Sequence, residues 1–304
     1  MTVSGWLKSL THRDGRIRPP WRIALYFLLF AFLTLVGQIV IIVLPRHPLE
    51  WGSLIVTTSA AIVAGWILIS RLDGRPFGAL GFPLHGRVRS EIALGLAIGA
   101  ALLTGAVLLL LISGSAGFAA DRGSPPGYVF FLLWTFVFFA IAAAWEEAVF
   151  RGYPFQALVE WVGPWPATIV ASLLFAYLHA QNPNVTSLAL ANIFLAGVLL
   201  SIAYLKTRSL WFATAVHLGW NWSMATLFDF PVSGLIFDTP LYTGVPTGED
   251  WWTGGAFGPE AGVAGTFVLV VGTVCLVRSR RLSEDPELER LGPIVDQRIQ
   301  GGPF

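Results

Sequence analysis

The sequence is poor in the groups that staple or solvate most folded chains. One cysteine, Cys275, occurs in 304 residues. That excludes an intramolecular disulfide and a cysteine-rich metal site. Charged residues make up 12% of the chain, against about 25% in an ordinary soluble domain. So little charge cannot clothe a water-soluble globule. The formal net charge of +1 leaves no basic surplus, and no nucleic-acid partner is expected. No internal repeat and no second globular domain are evident. No cleavable signal peptide is expected either, because the first 20 residues are polar and basic and the apolar run after them is long enough to span.

What is present is apolar surface. Hydrophobic residues make up 55% of the chain, with 22 Phe and 13 Trp to supply interfacial belts, and the mean hydropathy is +0.68. Eight stretches approach the roughly 20 residues that cross a bilayer. They are 21–44, 54–70, 92–112, 128–150, 166–178, 188–204, 210–227 and 262–277. The chain is expected to be an all-α polytopic membrane protein, with about eight transmembrane helices around an intramembrane cavity. Residues 1–20 form a basic cytoplasmic arm, 21–277 the membrane domain, and 278–304 a disordered cytoplasmic tail.

With the amino terminus inside, all of the 19 Lys and Arg except Arg46 and Arg122 fall on the cytoplasmic side. This bias predicts a multi-pass plasma (cytoplasmic) membrane protein with both termini in the cytoplasm. Compact loops and the use of Trp fit a bacterial membrane. The loop 228–261 carries five acids and no base and is expected to be a solvated connector at the outer interface.

Few strongly polar groups lie inside the spans, and each needs a reason because ionised groups in hydrocarbon are costly. Glu146 and Glu147 are adjacent near the end of the fourth span. Glu147 and Arg151 are four apart and share a helix face, so they can hold each other. Glu146 lies about 100° round the helix and is left for chemistry. His179 follows the fifth span, four residues after Phe175. His217 and Asn221 share a face of the seventh, where Asn221 can also serve as interhelical hydrogen-bonding glue. Asn192 reads as glue of the same kind. His12, His47 and His85 lie in loops and are expected to be solvated.

Together these residues make one free carboxylate, two imidazoles and an amide from three helices. Glu146 can activate water, an imidazole can share the proton or polarise a carbonyl, and the Asn221 amide can donate to an oxyanion. That set suits amide hydrolysis without a cofactor. Glu146, His179 and His217 can equally hold one divalent metal, zinc for example, with a position open. The spacing is not the His-Glu-x-x-His of helical zinc proteases.

The three motifs Glu146-Glu147-x-x-x-Arg151, Phe175-x-x-x-His179 and His217-x-x-x-Asn221, in this order on separate helices, resemble the CAAX-protease and bacteriocin-processing (CPBP) family of intramembrane proteases. This family is also called the type II CAAX prenyl endopeptidase or abortive-infection family. The resemblance implies a protease core at about 128–229 with a conical cavity. It implies that Glu146 and His179 activate water and that His217 and Asn221 stabilise the oxyanion, with Glu147, Arg151 and Phe175 in support. The family is often labelled a metalloprotease family, and a metal-free, glutamate-activated mechanism is also held for it. The partners it implies are membrane lipid and a membrane-associated peptide or protein substrate, in bacteria a leader peptide or membrane protein. The other readings of the same residues are a proton-coupled transporter and a non-catalytic membrane scaffold or immunity protein. A transporter would favour repeated halves.

The motifs impose a depth condition. If the fourth helix ended at Arg151, His179 would lie about 20 Å from that side of the membrane, too far to meet Glu146. The helix is therefore expected to run on towards Trp161, kinked near Pro154, with the amphipathic stretch 155–161 near the inner interface.

Overall fold

In lipid a backbone must satisfy its own N–H and C=O groups, and apolar stretches of this length do so as helices. The computed structural model describes residues 12–13, 16–43, 52–121 and 123–291. The main helices are α1 Pro19–Val43, α2 Gly52–Arg71, α3 Val88–Ile112, α4 Pro125–Phe150, α5 Tyr153–Val162, α6 Pro164–Leu178, α7 Ser187–Thr207 and α8 Leu210–Thr226. The four-residue α9, Asp250–Thr253, and α10, Val263–Arg278, follow. Helices occupy all eight expected stretches. Five, counting 125–162 as one, are long and apolar enough to cross a membrane, and Val263–Arg278 is a shorter apolar helix. The protein is an all-α polytopic membrane protein.

Local chemistry sets the helix ends. Pro at the first positions opens α1, α4 and α6, where a missing N–H costs nothing. Ser124, Thr186 and Ser209 cap α4, α7 and α8 by accepting from the backbone N–H three residues on, at 3.3, 3.1 and 3.3 Å.

The centre of the bundle is α8, packed against α3, α4 and α7. Its crossing with α3 is backbone on backbone. A Cβ at Gly99 would overlap the Val216 carbonyl oxygen, and one at Gly219 would overlap that of Leu96. Small residues permit this approach in membranes, where close packing replaces the hydrophobic drive. Helix α10 lies on α3 and α7, and α1 lies on α2 and α5.

The break in the fourth helix comes earlier than Pro154. Helix α4 stops at Phe150, Arg151 and Gly152 turn the chain, and α5 starts at Tyr153. A Cβ at Gly152 would overlap the Ala148 carbonyl oxygen, so the turn itself selects glycine. Pro154 falls in the first turn of the new helix, where it is tolerated. Helix α5 adds about 15 Å of rise beyond Arg151, and α6 climbs back by about 22 Å. That excursion resolves the depth problem, because it returns His179 to the level of Glu146. Helix α5 is held through Arg22, whose guanidinium meets Glu160 at 2.8 Å and Asp73 at 3.1 Å.

Three expectations about loops and the tail are corrected. Residues 279–291, expected to be disordered with the rest of the tail, are docked on the basic end of the bundle. Arg87 pairs with Asp285 at 2.9 Å, Arg208 with Glu284 at 3.1 Å, and Arg75 Nε donates to the Leu291 carbonyl at 3.0 Å. Residues 292–304 of that tail lie outside the described residues. His85 is not solvated: its side chain is 1% exposed, between Asp285 at 3.3 Å and Glu91 at 3.6 Å. His47 lies outside the described residues.

The loop 228–261 is not a solvated connector either. Its strand β4, Tyr242–Pro246, pairs antiparallel with β3, Ala116–Ala120; β1, His12–Arg13, and β2, Arg16–Ile17, form a separate short pairing. Phe230, Val232, Phe257 and Ala261 are buried. Gly254, Gly255 and Gly258 take positive φ, which lets this segment fold back into the bundle rather than lie along its surface.

The α3–α8 crossing generates a prediction. Gly99→Leu should lower thermal stability in detergent by about 1–3 kcal/mol or more, the usual cost of overpacking. An unchanged melting temperature would show that the two backbones are not in contact.

Candidate active site

The site is assembled by α4, α6 and α8. Glu147 and Arg151 are both fully buried and 3.0 Å apart, one turn apart on the same face. The guanidinium is occupied on every side. It donates to the Gly197 carbonyl at 3.0 Å and to Ser201 Oγ at 3.4 Å, and it lies over the Phe175 ring at 4.8 Å. A buried cation of this kind survives only with partners that replace its water.

Glu147 Oε1 has a second partner beyond the one expected. It accepts from His217 Nδ1 at 2.9 Å. An ionised carboxylate can only accept a hydrogen bond, so Nδ1 carries the hydrogen. His217 Nε2 is thereby turned towards Glu146, whose Oε2 lies 3.7 Å away. Glu146 Oε2 is buried and makes no hydrogen bond to a protein group among the described residues.

His179 ends α6 and starts a turn of 3₁₀ helix. Its Nδ1 lies 2.8 Å from the Phe175 carbonyl oxygen, an acceptor, so Nδ1 again carries the hydrogen. Its Nε2 is left as the other ring nitrogen. Phe175 stands between the two imidazoles, its ring 4.7 Å from His179 and 6.1 Å from His217. Its place in the motif is that of a spacer, which sets the ring separation and covers Arg151.

Glu146, His179, His217 and Asn221 all line one cavity of about 310 Å³. Asn221 follows His217 by four residues on α8 and so faces the same space. The rest of the wall is largely apolar and aromatic, including Phe138, Trp145, Leu199 and Leu269. All the residues singled out in the sequence therefore converge, with Glu147 and Arg151 behind the wall rather than in it.

Besides Asn192, which was expected only as glue, three polar residues from turns reach the same cavity and were not anticipated there: Glu260, Ser233 and Asn182. They come from turns without periodicity, which a pattern of spacing cannot flag. Asn192 acts as the expected glue. Its Nδ2 donates to the carbonyls of Glu260 and Gly262 at 2.8 and 2.9 Å, and its Oδ1 accepts from Thr266 Oγ1 at 2.7 Å.

The donor set bears on a metal. Two imidazole Nε2 atoms and a carboxylate are of the type zinc takes. Among the described residues, however, no three His, Cys, Asp or Glu groups stand close enough together to hold an ion. Loading a metal there would require the side chains to draw in.

Comparison with known proteins bears on the same segment. Residues 128–223 match the family model described as type II CAAX prenyl endopeptidase Rce1-like. The match spans α4 to α8 and so includes every motif residue. No curated protein matches the chain. The similarity read from the three motifs is thereby shown, at family level, over about a third of the chain.

The burial of the ion pair generates a prediction. Arg151→Ala and Glu147→Ala should each cost about 3–5 kcal/mol, because either leaves an uncompensated buried charge. The double variant should be less destabilised than the sum of the two. Equilibrium unfolding in mixed detergent checks this, and full additivity would mean that the pair is not coupled.

Proposed function

We propose that this chain, whose core is similar to the CAAX prenyl endopeptidases, is an intramembrane endopeptidase. It hydrolyses a peptide bond in a membrane-associated or lipid-anchored peptide, in bacteria a leader peptide or membrane protein. The observation that carries the reading is the 3.7 Å approach of Glu146 to His217 Nε2 inside an apolar cavity, with the far side of that imidazole held at 2.9 Å by Glu147.

The proposed reaction begins with a water between Glu146 and His179 Nε2. Glu146 takes a proton from it as the oxygen adds to the scissile carbonyl carbon. For His217 Nε2 to donate to the resulting oxyanion it must carry a hydrogen. With Nδ1 already donating to Glu147, His217 is then an imidazolium. Glu146, Glu147, Arg151 and His217 sum to zero charge in that state. As Glu146 is neutralised, the negative charge moves to the oxyanion, which stays beside His217 and within reach of the Asn221 amide. Preorganised donors in a water-poor site stabilise that charge strongly. Collapse breaks the C–N bond, and the proton held by Glu146, passed on directly or through His179 Nε2, goes to the leaving amine. A divalent metal on Glu146, His179 and His217 would instead polarise the carbonyl and the water. A fixed Nδ1 partner leaves each Nε2 free for either route, and we propose the metal-free one because among the described residues no three His, Cys, Asp or Glu groups stand close enough together to hold an ion.

The assay is cleavage of a membrane-anchored reporter by the reconstituted protein. Glu146→Gln should lose at least about a hundredfold in kcat, the scale of general-base removal, while folding normally. It should also retain bound substrate for identification by mass spectrometry. Activity should persist after exhaustive chelation. Wild-type cleavage by Glu146→Gln would end the protease reading, and loss on chelation with rescue by zinc would replace the metal-free route.

The charge bias supports cytoplasmic termini in the plasma membrane. In a Cys275→Ser background, an impermeant maleimide should label Thr243→Cys in intact cells but Ser283→Cys only after permeabilisation. The reverse pattern would invert the orientation.

A further inference from the structure

Among the described residues the cavity is lined by two carboxylates, Glu146 and Glu260, and by no Lys or Arg. The His217 imidazolium of the proposed mechanism is already balanced within the group of Glu146, Glu147 and Arg151. Glu260 Oε1 accepts from the Ser233 N–H and from Ser233 Oγ, each at 2.7 Å, and Oε2 accepts from Trp220 Nε1 at 3.2 Å. Every partner donates, which is the environment of an ionised carboxylate. None of the three is positively charged. Glu147 differs in this respect, because Arg151 neutralises it from behind.

A buried anion without a cation is costly, and the fold goes to some length to keep this one in place. Ser233 and Gly234 both take positive φ, 52° and 82°, in a tight turn closed by the Val232–Leu235 bridge. For serine that conformation is unfavourable. A Cβ at Gly234 would overlap the Pro183 carbonyl oxygen, so the turn is pressed onto the segment after His179. Asn182 Nδ2 fastens it by donating to the Ser233 carbonyl at 3.1 Å. From the other side, Asn192 holds the backbone of Glu260. These contacts orient a carboxylate at the cavity and supply no counter-charge. Glu260 meets Trp220, which follows His217 by three residues on α8, about 4.5 Å along the helix axis.

We propose that Glu260 is a specificity-determining residue that receives a positively charged group of the substrate. The group is an ammonium or guanidinium, from a lysine or arginine side chain or a free amino terminus, within a few residues of the bond attacked. The proposal rests on the protease reading for its position relative to the cut. The recognition chemistry itself needs only the cavity. An incoming cation would complete the ion pair that the protein leaves half-made, in a space where little water competes.

The test uses the full-length protein in liposomes and membrane-anchored reporters. The reporters differ only in carrying lysine, norleucine or glutamate at each position within three residues of the cut. Each is made with a free and with an acetylated amino terminus, which separates a side-chain ammonium from a terminal one. At one position kcat/KM should run lysine above norleucine above glutamate. The first step should be about tenfold, the scale of a partly desolvated charge contact, and should be carried mainly by KM. Glu260→Gln should flatten this order, and Glu260→Asp should keep it. A flat order in the parent protein overturns the proposal, and so does an undiminished order in Glu260→Gln. If Glu260→Gln does not fold, the parent's order and that of Glu260→Asp decide. If the parent cleaves none of the reporters, the protease reading fails separately. Fluorescence anisotropy of the same peptides on Glu146→Gln then decides the subsite: tighter binding of the lysine peptide supports it, and equal binding overturns it.

Discussion

Glu147 Oε1 is the atom on which the site depends. It accepts at once from Arg151 and from His217, at 3.0 and 2.9 Å, with all of its own surface buried. One carboxylate therefore neutralises a cation on its own helix and fixes the tautomer and direction of an imidazole on another. In water such a bridge would be weak and mobile. Between packed helices there is no solvent to replace either partner, so the bridge is rigid. The adjacent carboxylate, Glu146, inherits its orientation from that rigidity, because the backbone that places Glu147 also aims Glu146 at the other side of the same ring.

The bridge works only if three helices meet at one depth, and the chain achieves this by overshooting. The break at Arg151–Gly152 and the added α5 carry the polypeptide well past Glu146 before α6 brings His179 back. Arg22, Asp73 and Glu160 clamp α5 to α1 and to the end of α2. The same break makes Arg151 the residue that caps the end of α4, with its side chain turned inward to Gly197 and Ser201 on α7. Helix geometry and site chemistry are thus joined at one residue.

The acidic end closes the cavity by different means. There the chain uses turns, glycines at positive φ and an Asn192 anchor rather than helix packing. The result is a further carboxylate, Glu260, held by the Ser233 N–H and hydroxyl and by the Trp220 indole, none of them a cation. The two walls of the cavity therefore differ in charge balance, one closed within the protein and the other open to what enters.

Much of this was legible in the order of residues. Long apolar stretches can only be helices in lipid, and the four-residue spacing of Glu147 with Arg151 and of His217 with Asn221 puts each pair on one face. Those constraints are local and act through backbone periodicity, so the membrane class, the helices and the motif residues that meet around the cavity follow from sequence alone. What tertiary structure decided was non-local. It joined His217 to Glu147 rather than leaving the acid to Arg151 alone, set the helix break at Gly152 instead of Pro154, and docked residues 279–291 and buried His85 beside them. It also folded the loop 228–261 inward so that Glu260 reached the cavity. Each of these depends on contacts between residues far apart in the chain or on turns without a repeat, and neither leaves a period in the sequence to be read.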